Sequence, residues 1–323
     1  MREVSFLSKN EKKWREVESI LDKNSDLDPD KSAELYIELT DDLSYAQTHY
    51  PESVIARYLN SLATGIFQKL NKRRAEKLRR IVEFWRYEVP MAVARNHRKM
   101  LYAFLFFASS VLIGAVSTHY DQTFPRVILG DEYVDMTLEN IENGDPMAVY
   151  KGSESNMMFL RITFNNIRVS IYTFISGLLF SLGTFYFLFT NGIMLGSFQY
   201  FFIQKGVVLD SLLTIWIHGT IEISCIIIAG TAGLVMGNSL LFPGTLPRKD
   251  SLIRGSKEAL KILVGIIPFI IMAGFLESFI TRLTEAPVFF RFGIILFSFL
   301  FMTGYFVYYP IRLAKKYGSQ KEY

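Results

Sequence analysis

The pattern of apolar and polar positions divides the chain near residue 100. Before that point apolar residues recur singly among charges; after it they run in long stretches. Val4, Trp14, Val17 and Leu21 mark one face of a first helix. Asp28-Pro29-Asp30 predicts the start of a second, because Pro suits a first turn and acids favour the positive end of the helix dipole. That helix is expected to run to about His49. Pro51 opens a third, with Val54, Leu59, Leu62 and Ile66 on its apolar side. From Arg73 the chain turns basic and amphipathic, with Ile81, Phe84 and Trp85 apolar, until Pro90 is expected to break it. Such a segment next to a span reads as an elbow on the inner leaflet. The competing reading is a solvated face of the helical domain.

A membrane-spanning helix needs roughly 20 apolar residues. Candidates lie at 101–118, 168–190, 193–209, 212–237, 259–280 and 288–309. The third is short and interrupted by Gln204 and Lys205, so it is expected to be a short or re-entrant span joined tightly through Asn191-Gly192. Together these stretches predict an all-α polytopic membrane helix bundle of about six spans with an N-terminal cytosolic helical domain. The expected domains are 1–99 with the elbow, 100–311 as the bundle, and a basic tail at 312–323.

Composition agrees. The chain is 50% hydrophobic and only 20% charged, against about 25% in average soluble proteins, and its mean hydropathy is +0.22. This excludes a plain soluble enzyme, a disordered chain and a disulfide scaffold. Cys225 is the single cysteine, so no intramolecular disulfide or multi-cysteine metal site is available. A net charge of +4 gives no ground for nucleic-acid binding. No apolar stretch follows Met1-Arg2-Glu3, so no signal peptide is expected.

Charge sets the orientation, since Lys and Arg accumulate on the cytoplasmic side. Ten basic residues against three acids lie between Lys72 and Lys99. The linker 238–258 carries Arg248, Lys249, Arg254 and Lys257, and the tail carries Arg312, Lys315, Lys316 and Lys321. Both termini are therefore expected in the cytoplasm of a bacterial cell, which requires an even number of crossings of the inner membrane. The loop 119–167, with eight acids and three bases, falls outside. Its apolar positions, Val127, Ile128, Leu129, Tyr133, Met136, Leu138 and Ile141, are expected to pack back on the bundle.

The candidate chemistry sits at His218-Gly219-Thr220-Ile221-Glu222. Four residues apart, His218 and Glu222 share a helix face with Cys225, Ala229 and Gly233. Three readings compete: a hydrogen-bonded clasp between helices, a proton or ion relay, and a metal or catalytic site, for which zinc wants three or four ligands. Motifs of intramembrane metalloproteases, serine hydrolases and P-loop ATPases are absent, so neither a metal, a cofactor nor an enzymatic activity is expected. Glu277 with Arg282 reads as a near-interface ion pair, and Asn165, Asn166 and Arg168 as the outer start of span two.

Several segments together resemble the stage II sporulation protein M family: Asp41-Asp42-Leu43-Ser44-Tyr45-Ala46, Met136-Thr137-Leu138-Glu139-Asn140-Ile141 with Gly144-Asp145-Pro146, Asn165-Asn166-Ile167-Arg168-Val169, Asn191-Gly192-Ile193-Met194-Leu195-Gly196 and the stretch around Gly219. The resemblance implies a multi-pass inner-membrane protein without established enzymatic activity. In spore formers, members act as scaffolds for cell-wall hydrolases; relatives elsewhere are encoded beside a MoxR-type ATPase, and the long cytosolic domain is similar to that group. Two functions are expected, the second from the residues themselves: the basic elbow, six spans and the intramembrane His218 and Glu222. One is a non-enzymatic scaffold that couples a MoxR-type ATPase to envelope proteins in the phospholipid membrane, with homo-oligomers allowed. The other is a permease for a lipid or small solute with His218 and Glu222 in its pathway.

Overall fold

The structure, a computed structural model, describes residues 3–22, 29–51, 53–71, 77–151 and 154–318. Asp28, Lys72, Arg73, Arg74 and Lys321, which entered the expectations above, lie outside the described residues. Among the described residues the chain is helical almost throughout and contains no strand. It forms two compact units, Met1–Arg80 and Ile81–Tyr323.

The first unit packs α1 (Glu3–Asp22), α2 (Pro29–His49) and α3 (Val54–Asn71) around Trp14, Val17, Leu39, Ala46, Leu59 and Ile66. The helical spacing is as expected, with one shift at each of two helix starts. Val4 and Val54 are exposed, and Phe6 fills the place on α1 one turn and more before Trp14. Asp42, from the Asp41-Asp42 segment, accepts a hydrogen bond from the Trp14 indole at 2.9 Å and an ion pair from Lys13 at 2.6 Å. The core indole is thereby satisfied, as a buried N–H must be.

The second unit opens with the end of α4 (Lys77–Glu83), a π-turn at Phe84–Glu88 and α5 (Val89–Arg95). Pro90 does not break this helix. The π-turn ahead of it absorbs the missing N–H, and the break falls at Asn96. The carbonyls of Trp85 and Arg86, left short of donors by Pro90, accept from the hydroxyls of Tyr305 and Tyr309. Val89 and Val93 are fully buried, and the Trp85 indole donates to the Gly265 carbonyl at 3.2 Å. Of the elbow expected within a domain ending at 99, Phe84 and Trp85 pack against the core of the second unit, while Ile81 is exposed.

Next come α6 (His97–Tyr120), α7 (Phe124–Leu129), α8 (Asp131–Glu142), α9 (Ser155–Ile175), α10 (Leu182–Gln204), α11 (Val208–Leu241), α12 (Arg248–Phe275), α13 (Val288–Thr303) and α14 (Tyr309–Gly318). Among the described residues, four helical stretches are long and apolar enough to cross a membrane: 97–120, 208–241, 248–280 and 288–316. The stretch 208–241 has 67% of its apolar window buried, against 17% for 288–316. So α11 is the axis of the bundle and α13 forms its outer face. Leu313 is buried, so the expected tail begins as a packed helix.

The expected turn at Asn191-Gly192 is corrected. Here the helix runs on, and Asn191 donates to the Phe187 carbonyl one turn back. The chain instead reverses at Gly177–Ser181, where Phe180 and Ser181 take positive φ. This tight reversal fits because α11 offers no side chain there: a Cβ on Gly233 or Gly237 would stand within 2.3 Å of Thr184 Oγ1 or Ser181 Oγ. Gly192 and Gly196 lie along α10 and let it close on α6, the interface role that small residues play between membrane helices. Thr118 and Ser197 hydroxyls bond across this seam at 2.9 Å. The loop helices α7 and α8 pack back through Leu129, Val134 and Leu138, with Met147 beyond them, against Phe201, Phe202 and Ile215, whereas the expected contacts Val127 and Met136 are exposed.

Backbone contact at Gly196 makes a steep test. A Cβ there would lie 2.0 Å from the Val111 carbonyl oxygen, whereas Gly293 has nothing within 4 Å. Gly196→Ala should lower the melting temperature of the detergent-solubilised protein, by overpacking of about 1–3 kcal/mol. Gly293→Ala should leave it unchanged or raise it. Equal behaviour of the two variants would contradict the α6–α10 seam.

Candidate functional site

Three elements converge on α11 at His218 and Glu222, about 15–21 Å along it from Val208 at 1.5 Å per residue. His218 and Glu222 stand one turn apart on it, buried and half-buried respectively. A π-turn, Leu276–Ile280, ends α12 and carries Glu277, with Thr281 following; a π-turn shifts side chains by about a quarter turn relative to an α-helix. From α9 comes Asn166, and from the external segment Tyr150, whose ring centroid lies 5.9 Å from that of His218.

The hydrogen bonds are specific. His218 Nδ1 and Thr281 Oγ1 meet at 3.0 Å, and His218 Nε2 faces Glu277 Oε1 at 3.9 Å. Asn166 donates its amide to Glu222. One ligand atom from each of His218, Glu222 and Glu277 lies within 4.8 Å of the others. The expected clasp between His218 and Glu222 is thus replaced. Each has its own partner on a neighbouring helix, because α9 and the π-turn approach this face of α11 more closely than a same-helix bond requires. Glu277, expected to pair with Arg282, turns inward to His218, while Arg282 donates to the Ser155 hydroxyl and the Tyr150 carbonyl.

A partly open cavity of about 1370 Å³ reaches this cluster. Asn165, Arg168, Asn191, Met194 and Gly219 also line it, along with Tyr133 and Tyr150 from the external segment. The helix that leads into the expected second span begins at Ser155, so Asn166 and Arg168 are well inside it. They lie about 16 and 20 Å along α9 from Ser155, at 1.5 Å per residue. Arg168 is exposed to the cavity and donates to Asn165 at 2.9 Å. Burial pushes the phenol of Tyr133 up to about 12 and that of Tyr150 well above its ordinary value, so both stay protonated donors at neutral pH. Gly192 and Gly196, by contrast, serve the α6 seam described above.

The i, i+4 spacing signalled His218 and Glu222. Nothing in the sequence placed Glu277, Thr281 or Tyr150 beside them, since their contacts span 59 residues or more of chain. Ion-forming groups at a helix end read as an interface pair until the π-turn is known.

A family model for stage II sporulation protein M matches residues 103–282, which includes the whole cluster. A second, for a domain of unknown function (DUF8413), matches residues 4–72. No curated protein and no solved structure matches the chain.

The partner assignments make a direct prediction. In a double-mutant cycle, Asn166→Leu and Glu222→Gln should couple by about 0.5–3 kcal/mol in stability measured by thermal melting, as contacting polar pairs do. Strict additivity of the two changes would remove this contact.

Proposed function

This chain belongs to the stage II sporulation protein M family, and from that premise we propose that its bundle is a permease for a small charged solute. The observation that carries this reading is the placement of Arg168, Glu222 and Glu277 on the wall of one open cavity, far from the starts of α9 and α11. Ionisable groups at membrane depth are costly, about 2.5–3.5 kcal/mol on insertion scales, and mark solute and proton pathways. A lipid-filled cavity would leave an exposed Arg168 without solvation; a water-filled one does not.

In this reading six helices, α6 and α9 to α13, cross the bacterial inner membrane, with both termini cytoplasmic. The cluster then lies in the outer half, below a roof made by α7, α8 and Tyr150. Alternation between outward and inward openings would move the solute past it. Family members are not known as enzymes, and the permease reading requires no bond to be made or broken.

A second reading keeps the scaffold role, with a MoxR-type ATPase as the cytoplasmic partner. It is favoured by the first unit, which has its own core and its own family match over residues 4–72. Affinity purification in mild detergent tests it, and recovery of the chain without any ATPase or envelope protein would count against it.

The permease reading is tested by water access. With Cys225 replaced by Ser, a cysteine at Met194, 46% exposed on the cavity wall, should react quickly with a hydrophilic thiol reagent in reconstituted liposomes. A cysteine at Phe292, 55% exposed on the outer face, should not. Equal inertness at both positions would show a lipid-filled cavity and sink the pathway.

A further inference from the structure

We propose that His218, Glu222 and Glu277 form a binding site for a divalent first-row transition-metal cation of the zinc class. The sequence offers His218 and Glu222 on one face of α11, short of the three or four ligands that zinc wants, and no metalloprotease motif. The fold supplies the third from the π-turn after α12, and all three donor atoms fall within 4.8 Å of one another.

The donor set fits such an ion. Imidazole and carboxylate suit zinc and its neighbours, whereas magnesium and calcium take oxygen alone. Zinc ligands at about 2.0–2.2 Å stand roughly 3.3–3.6 Å apart in a tetrahedral site. The donors, within 4.8 Å of one another, would have to draw together by about 1.2–1.5 Å to reach that spacing.

Two further features point the same way. The His218 side chain is 5% exposed, and among the described residues its Nε2 makes no hydrogen bond while aiming at Glu277, 3.9 Å away. In the tautomer that donates Nδ1–H to the Thr281 hydroxyl, the lone pair of Nε2 is directed into the cluster. A ligating histidine is oriented in this way by its second nitrogen, and a ligating carboxylate by a donor such as Asn166. Charge balance agrees: neutral His218 with two carboxylates carries −2, which a divalent cation cancels where water is scarce. Three protein ligands leave a position open toward the cavity, as at exchangeable rather than closed structural sites.

Naming a cation as the solute rests on the permease reading, so binding and flux are measured separately. The full chain in detergent is titrated with Zn²⁺ under excess Mg²⁺, and with Co²⁺ for its visible d–d absorption. One Zn²⁺ per chain is expected, with Co²⁺ giving the intense bands of a low-symmetry nitrogen–oxygen site. Glu277→Gln and His218→Gln should each weaken binding at least tenfold, and Glu258→Gln, on the surface beside Arg95, should not. No saturable binding, or equal binding in all three variants, would overturn the site. The Co²⁺ spectrum of the unaltered protein decides the matter even if a variant fails to fold. Liposomes loaded with a zinc indicator then read flux. Binding without flux upholds the site and removes cation transport; proton flux without zinc binding overturns the site and upholds the pathway.

Discussion

The second unit depends on how closely its helices approach α11 and each other. In a bilayer, water no longer drives apolar helices together, so contact area and close packing decide association. Glycine at 177, 192, 196, 233 and 237 removes the side chains that would hold backbones apart. The Thr118 and Ser197 hydroxyls bond across the α6–α10 seam, and the Thr184 hydroxyl donates to the Thr173 carbonyl across the α9–α10 seam. Because α11 is enclosed on nearly every side, whatever lies on its face must be met by a neighbour. Cys225, Ala229 and Gly233 are met by packing. His218 and Glu222 are met by polar groups from other helices, and there the packing opens into a cavity.

The helix irregularities serve the same end. Proline at 90 and at 310 each follows a π-turn, and the hydroxyls of Tyr305 and Tyr309 on one of these turns bond the carbonyls of the other. Side chains at the second turn thus supply donors to backbone carbonyls of the first, as buried backbone groups require. The third π-turn, after α12, has a different consequence. It swings Glu277 towards α11, where a regular helix would present a neighbouring residue.

Much of the architecture was legible in the sequence. Apolar runs located the long helices, and spacing located the core of the first unit, because burial imposes a period on any helix with one wet face. The α9–α10 reversal was not legible. Asn191-Gly192 has turn chemistry, yet Asn191 caps its own helix backwards, while the true reversal lies inside an apolar run and depends on glycines of α11 some 55 residues away. The site was half legible for a related reason. His218 and Glu222 announce themselves by local spacing, whereas Glu277 and Thr281 reach them only through tertiary packing and a π-turn that no periodicity reports.

The central claim is that the end of α12 meets α11 at His218 inside the bundle. It is tested most directly by oxidative cross-linking in native membranes, with Cys225 replaced by Ser. Cysteines at His218 and Thr281, whose side chains now bond at 3.0 Å, should form a disulfide rapidly under mild oxidant. A pair at His218 and the exposed Leu283 should not. Cross-linking of the second pair in preference to the first would contradict the convergence on which the cluster, the cavity and the proposed function all rest.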